Sequence, residues 1–274
     1  MSRKFACLAA FALVAIAAAA EPPVPTISAG EYLAAHAATP ALSFNDPPAL
    51  VEDGWEKARC ATVEYAPGIK ADVYWPADPA AGPLPVVLIA FYFTHSWYVS
   101  NAEKAWREMV PAIIWMAEMA NRGLIVVCPD PLSAFRDMSA AMKWISERGA
   151  GLGADPSRMA LFAVSSNTKI IPSLMILPEA ANVRAIVLYY GDLLPASWSL
   201  SKDVALHVVK AGRDNAGANT RIDAFVQMFT EAGNPVECIT YANGKHAFDW
   251  QEKGGEAAAV MSKTLAFFEA KLKK

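Results

Sequence analysis

The strongest constraint on this chain is an alternation of short apolar runs with segments of helical spacing. Residues 85–91 and 124–128 are almost unbroken in apolar side chains, which suits strands buried on both faces. Residues 158–164, 183–190, 204–211 and 236–241 read as further strands, and 60–65 and 70–75 as a hairpin turning at Ala66-Pro67-Gly68. Helical spacing runs through 102–121, 137–148, 219–232 and 257–271, with Arg122-Gly123 closing the first of these. Strands separated by helices require parallel crossovers. The prediction is an α/β chain with a doubly wound, mostly parallel sheet of about eight strands and helices on both faces. Ligands on such sheets bind beyond the carboxyl ends of the strands, so the chemistry belongs on the loops that follow them.

The amino terminus has its own logic. Met1-Ser2-Arg3-Lys4 is basic, residues 5–20 carry no charge, and Glu21-Pro22-Pro23 breaks the run. These are the parts of a secretory signal, and cleavage is expected near Ala20. The alternative is an uncleaved anchor, for which the run is short against the roughly 20 residues of a span. The expected product is exported, periplasmic or secreted, with no stable membrane insertion after cleavage. Residues 21–54, rich in Pro and Ala with a short helical stretch near Glu31 to Ala38, read as an N-terminal arm and linker, and 55–274 as the domain proper. A hydrophobic content of 54% is enough for a sizeable core, and a net charge of −3 without a basic run argues against a nucleic-acid partner. Beyond the signal, Cys60, Cys128 and Cys238 are odd in number, so at most one internal disulfide can form. Cys128 and Cys238 read as buried, inert thiols.

The most informative stretch is 158–167, a strand followed by Ser165-Ser166-Asn167. A serine held on a sharp strand-to-helix turn is a nucleophile elbow. Ala163 and Asn167 stand where that pattern usually has glycine, and Pro172 and Pro178 disturb the helix that should follow. Alone, Ser165 reads as a helix N-cap ahead of a nucleophile. Two later segments add weight. Asp214 follows the strand 204–211, and His246 lies in the loop after the strand 236–241. The order Ser, Asp, His, each residue after a strand, is that of a nucleophile, a carboxylate that orients the imidazole, and the base that takes the serine proton. Asp192, after Tyr189-Tyr190-Gly191, also follows a strand and is the alternative acid. An oxyanion hole needs two backbone N–H groups. Ser166 supplies the first, and Tyr92 or Phe93, after the strand 85–91, the second. Phe91 and His95 in the same loop are candidate substrate contacts, with a packed-core role as the alternative for the aromatics. His207 reads as a core residue. No histidine pair has metal-ligand spacing, so neither metal nor cofactor is expected.

Taken in order, these stretches resemble the dienelactone hydrolase-like, serine esterase branch of the α/β-hydrolase superfamily. Carrying the resemblance are residues 85–90, Arg122-Gly123-Leu124 through Cys128-Pro129-Asp130, Gly153 through Arg158, Leu188-Tyr189-Tyr190-Gly191, Ala211-Gly212-Arg213-Asp214 and Lys245-His246-Ala247-Phe248, over about residues 60–270. The resemblance implies the α/β-hydrolase fold and hydrolysis of a small-molecule ester or lactone through a covalent acyl-enzyme. Dienelactone members use Cys where this chain has Ser165, so it looks more like an esterase relative. The competing expectation is a non-catalytic binding protein of the same fold, motivated by Asn167, Pro172 and the glycine-free loop 91–94.

Overall fold

Val- and Ile-rich runs become strands because branched side chains fit a pleated surface that is covered on both faces. In the computed structural model, which describes residues 26–37, 46–78, 81–102, 104–194 and 198–273, these runs form β4 (Leu84–Ile89), β5 (Ile125–Pro129), β6 (Ala154–Val164), β7 (Val183–Tyr189) and β8 (Ala205–Ala211). Val86, Val87, Leu88, Val126 and Val127 are fully buried. β2 (Arg59–Ala66) and β3 (Ile69–Trp75) form the hairpin, and β9 (Val236–Tyr241) is the far edge. A short β1 (Ile27–Ser28) pairs antiparallel with β2. The sheet therefore has nine strands, ordered β1-β2-β3-β5-β4-β6-β7-β8-β9. It is antiparallel up to the β3–β5 pair and parallel from β5 to β9.

Direction reverses at β4. The chain crosses from β4 to β5 through α3 (Val110–Asn121), then returns past β4 to β6 through α4 (Ala134–Arg148). Right-handed crossovers of opposite direction put these helices on opposite faces. Phe162 on β6 meets both Trp115 of α3 and Phe268 of α8 (Gly255–Leu272), which places α3 and α8 on one face. α6 (Ala216–Glu231) links β8 to β9. The switch point between β4 and β6 is where a sheet of this kind opens a crevice.

Three expectations change. The helix expected over 102–121 starts later, as α3 at Val110, behind α2 (His95–Ala102) and a short 3-10 turn at Trp106–Glu108. Pro111 is the reason: it occupies the first turn of α3, where a missing N–H costs nothing, and it would break an interior turn. The described part of the expected arm is packed. β1 extends the sheet, and α1 (Ala29–Ala37) buries Ala29 and Tyr32, whose hydroxyl donates to the fully buried Asp72 at 2.6 Å. Residues 1–20 lie outside the described residues. Cys238, expected to be buried, is exposed on the edge strand β9, while Cys60 and Cys128 are buried, and all three are free thiols. No described helix is long and apolar enough to cross a membrane.

Candidate active site

Ser165 directly follows β6 and takes φ +53, a left-handed conformation that a side chain makes costly. Two contacts hold the turn. The Thr168 hydroxyl donates to the Ser165 carbonyl at 2.7 Å. Gly191, after β7, lies so close that a Cβ on it would sit 2.6 Å from the Thr168 methyl. Pro172 falls in the first turn of the short α5 (Ile171–Leu174), after the 3-10 run Ser165–Ile170, so it does not interrupt a regular helix. Non-glycine residues with positive φ are Ser165, Tyr190 and Ala247 among the described residues, and all three line one pocket. Strained backbone concentrated in this way marks a site that the surrounding structure over-determines.

The loops after β8 and β9 are laced together. The Gly212 N–H donates to the Tyr241 carbonyl at 2.8 Å and the Arg213 N–H to the Gly244 carbonyl at 2.8 Å. A Cβ on Gly212 would overlap the Ala242 carbonyl oxygen, well inside van der Waals contact, so only glycine permits this approach. The lacing brings Asp214 to His246. The imidazole Nδ1 lies 2.6 Å from Asp214 Oδ2, and Nε2 lies 2.8 Å from Ser165 Oγ. The Asn215 N–H donates to Asp214 Oδ1 at 2.7 Å, which fixes the carboxylate. A carboxylate on Nδ1 selects the tautomer with its proton there and leaves Nε2 as acceptor for the serine hydroxyl. The alternative acid, Asp192, is held elsewhere, by Lys169 at 3.0 Å and Arg221 at 2.7 Å. The Lys169 contact leads in pulling its carboxyl below the usual value.

These residues open onto a pocket of about 260 Å³. Phe93, Trp97, Tyr98, Trp106, Met109, Tyr190 and Trp250 wall it, and His246 is the one ionisable imidazole on a lining that holds no Asp, Glu, Lys or Arg among the described residues. Phe93 stacks on Trp97 with ring centroids 4.3 Å apart. Phe91, expected at the substrate, is instead core: it is 2% exposed and packs edge-on against Trp106 behind the pocket wall. Tyr92, the next residue, is 43% exposed. His95 also stands off the pocket lining, with Nδ1 2.6 Å from Asp130 Oδ2. His207 is buried in the core, where desolvation pushes its pKa down to about 4.

The expected oxyanion donors meet an unforeseen partner. Ser166 lines the pocket, and its N–H belongs to a first helical turn, which has no intrahelical acceptor. The Tyr92 and Phe93 N–H groups both donate to Asn167 Oδ1, at 2.7 and 3.3 Å. Sequence reasoning also missed Asp249. It is fully buried beneath the pocket and accepts a 2.6 Å hydrogen bond from the Tyr190 hydroxyl, while its other oxygen has no partner among the described residues. Burial pushes its carboxyl up to about 7, against the opposing pull of the Tyr190 bond. The Tyr190 ring in turn lies 4.7 Å from that of His246. No cluster of three or more metal-ligating side chains occurs among the described residues.

No family model matches the chain, and neither does any curated protein sequence. Solved structures do. The chain is similar to Thermogutta terrifontis esterase 2 phosphorylated by paraoxon, at 16% identity and a TM-score of 0.57, over 77% of this chain and 92% of that one. It is similar to a bacterial heroin esterase, at 15% identity and a TM-score of 0.61, over 89% and 98% of the two chains. The Pyrobaculum calidifontis esterase aligns at 16% identity and a TM-score of 0.59, over 88% and 89%. The sheet order and these likenesses establish the α/β-hydrolase fold. At the switch point of that fold stand a serine, a histidine and an aspartate joined by hydrogen bonds.

Proposed function

We propose that this chain is a serine hydrolase that cleaves a carboxylic ester or lactone through an acyl-enzyme, with Ser165, His246 and Asp214 as its catalytic triad. The observation that carries the reading is the chain Asp214–His246–Ser165, at 2.6 and 2.8 Å, ending on a serine held at φ +53. Ser165 Oγ attacks the carbonyl carbon while His246 Nε2 takes its proton, and the carbonyl oxygen becomes an oxyanion. Collapse of the tetrahedral adduct breaks the bond to the leaving oxygen, which receives the proton from His246. Water, deprotonated by His246, then attacks the acyl-enzyme and releases the acid and Ser165. A pocket walled by aromatics and free of charged chains favours an uncharged, apolar or aromatic acyl group. The likeness to esterases and the resemblance to dienelactone hydrolases support esters first and lactones second. Export belongs to the same proposal and rests on the basic, then apolar, amino terminus.

The test is turnover of p-nitrophenyl acetate, butyrate and benzoate by the purified chain and its Ser165→Ala variant. The expected loss in kcat is about 10⁴-fold or more. Equal turnover by both proteins sinks the proposal in favour of a non-catalytic binding role.

A further inference from the structure

The loop after β4 poses a problem that its sequence does not solve. Residues 91–94 read Phe91-Tyr92-Phe93-Thr94 and contain no glycine, yet an oxyanion hole requires a backbone N–H held at a fixed point beside Ser165. The root of the loop is fixed by the Ala90 N–H donating to the Phe162 carbonyl at 2.8 Å. Beyond the root, the contacts that orient its N–H groups come from Asn167, two residues past the serine and 3% exposed.

Resting on the reading of Ser165 as nucleophile, we propose that Asn167 is a positioning residue whose carboxamide clamps the loop so that the Phe93 N–H joins the Ser166 N–H as the second oxyanion donor. The two bonds to Oδ1 are unequal. Tyr92 N–H is close, at 2.7 Å, and the Tyr92 side chain points away from the pocket, 43% exposed. Phe93 N–H is long, at 3.3 Å, and Phe93 lines the pocket. Hydrogen bonds to a charged acceptor are about twice as strong as those between neutral groups. A developing oxyanion therefore draws off the loosely held Phe93 N–H, while the Tyr92 bond keeps the loop in place. Both loop groups are N–H donors, so the carboxamide turns its oxygen to them. Glycine at position 167, the residue an elbow usually carries there, would remove the clamp.

The test pairs a ligand that forms a tetrahedral anion on the serine, phenylboronic acid, with one that only fills the pocket, benzyl alcohol. In Asn167→Ala, kcat for p-nitrophenyl butyrate should fall about 100-fold with KM within about threefold. Phenylboronic acid affinity should fall by a similar factor, and benzyl alcohol affinity should hold. Equal weakening of both ligands would mean a collapsed pocket and overturns the proposal. Unchanged boronate binding, or a rise in kcat, overturns it too; a rise would mean that the carboxamide blocks the donors. If Asn167→Ala does not fold, Asn167→Asp keeps the size and the oxygen that accepts from Tyr92 and Phe93. Its charge should repel the oxyanion, so kcat and boronate affinity fall at neutral pH with benzyl alcohol binding retained; unchanged boronate affinity would overturn the proposal. A wild type that neither turns over ester nor binds boronate refutes the Ser165 reading itself. Failure of the Asn167 inference alone is distinct, since the wild type then binds boronate and the variant binds it equally well.

Discussion

Replacing Asp249 by asparagine should change how stability depends on pH. Asp249 is fully buried, and one of its oxygens lacks a partner among the described residues. Burial lifts its pKa from the usual 3.8 to about 7. Below 3.8 the carboxyl is protonated folded or unfolded, and its contribution is fully present. Between the two values the folded protein keeps a proton that the unfolded chain releases, so stability falls as pH rises, and the contribution is gone above about 7. At about 1.4 kcal/mol per pH unit, the whole window is worth about 4 kcal/mol. Most of it, about 3 kcal/mol, falls between about pH 4.5 and 8. The asparagine side chain in the variant has the same shape, still accepts from the Tyr190 hydroxyl, and does not titrate. Urea unfolding followed by tryptophan fluorescence, at about pH 4.5, 6 and 8, gives the stability of both proteins. The difference, wild type minus variant, should fall by about 3 kcal/mol from the lowest pH to the highest. Other buried acids, such as Glu118, are common to both proteins and cancel in the difference. A difference that is flat with pH would refute the reasoning.

Two further substitutions follow from close packing and buried charge. Gly212→Ala puts a Cβ against the Ala242 carbonyl and forces apart the loops that carry Asp214 and His246; ester turnover should drop at least about tenfold and stability by about 2 kcal/mol, read by kinetics and thermal unfolding. Arg107→Met leaves the fully buried Asp72 without the cation now 2.9 Å away, and should cost about 3–5 kcal/mol in a urea unfolding experiment, with Asp72→Asn in the same chain recovering much of the loss.

What was legible in the sequence follows the range of the interactions. β4, β5 and β6 are readable because strands covered on both faces need continuous apolar runs, and those runs are local. β1 has two residues, too few to show a period, and so reads as part of an arm. The break before α3 has its signal in Pro111, which the helical spacing on either side conceals. Ser165, Asp214 and His246 can be placed because each follows a strand, and strand ends converge on one edge of a parallel sheet. The Asn167 contact joins residues 75 apart in the chain, and nothing in the neighbourhood of either partner announces it. Asp249 escapes notice for a related reason. It lies between Phe248 and Trp250, and its burial depends on the layers above, not on its neighbours in sequence. Phe91 lies two residues past the end of β4, where no strand period tells pocket from core.

The central claim is that Ser165 is the nucleophile, and covalent trapping tests it most directly. Treatment with a p-nitrophenyl alkylphosphonate should release one equivalent of p-nitrophenol and add one phosphonyl group per chain. Peptide mapping by mass spectrometry should place that group on Ser165, and Ser165→Ala should take up none. An unmodified wild type, or the same adduct in both proteins, would contradict the account.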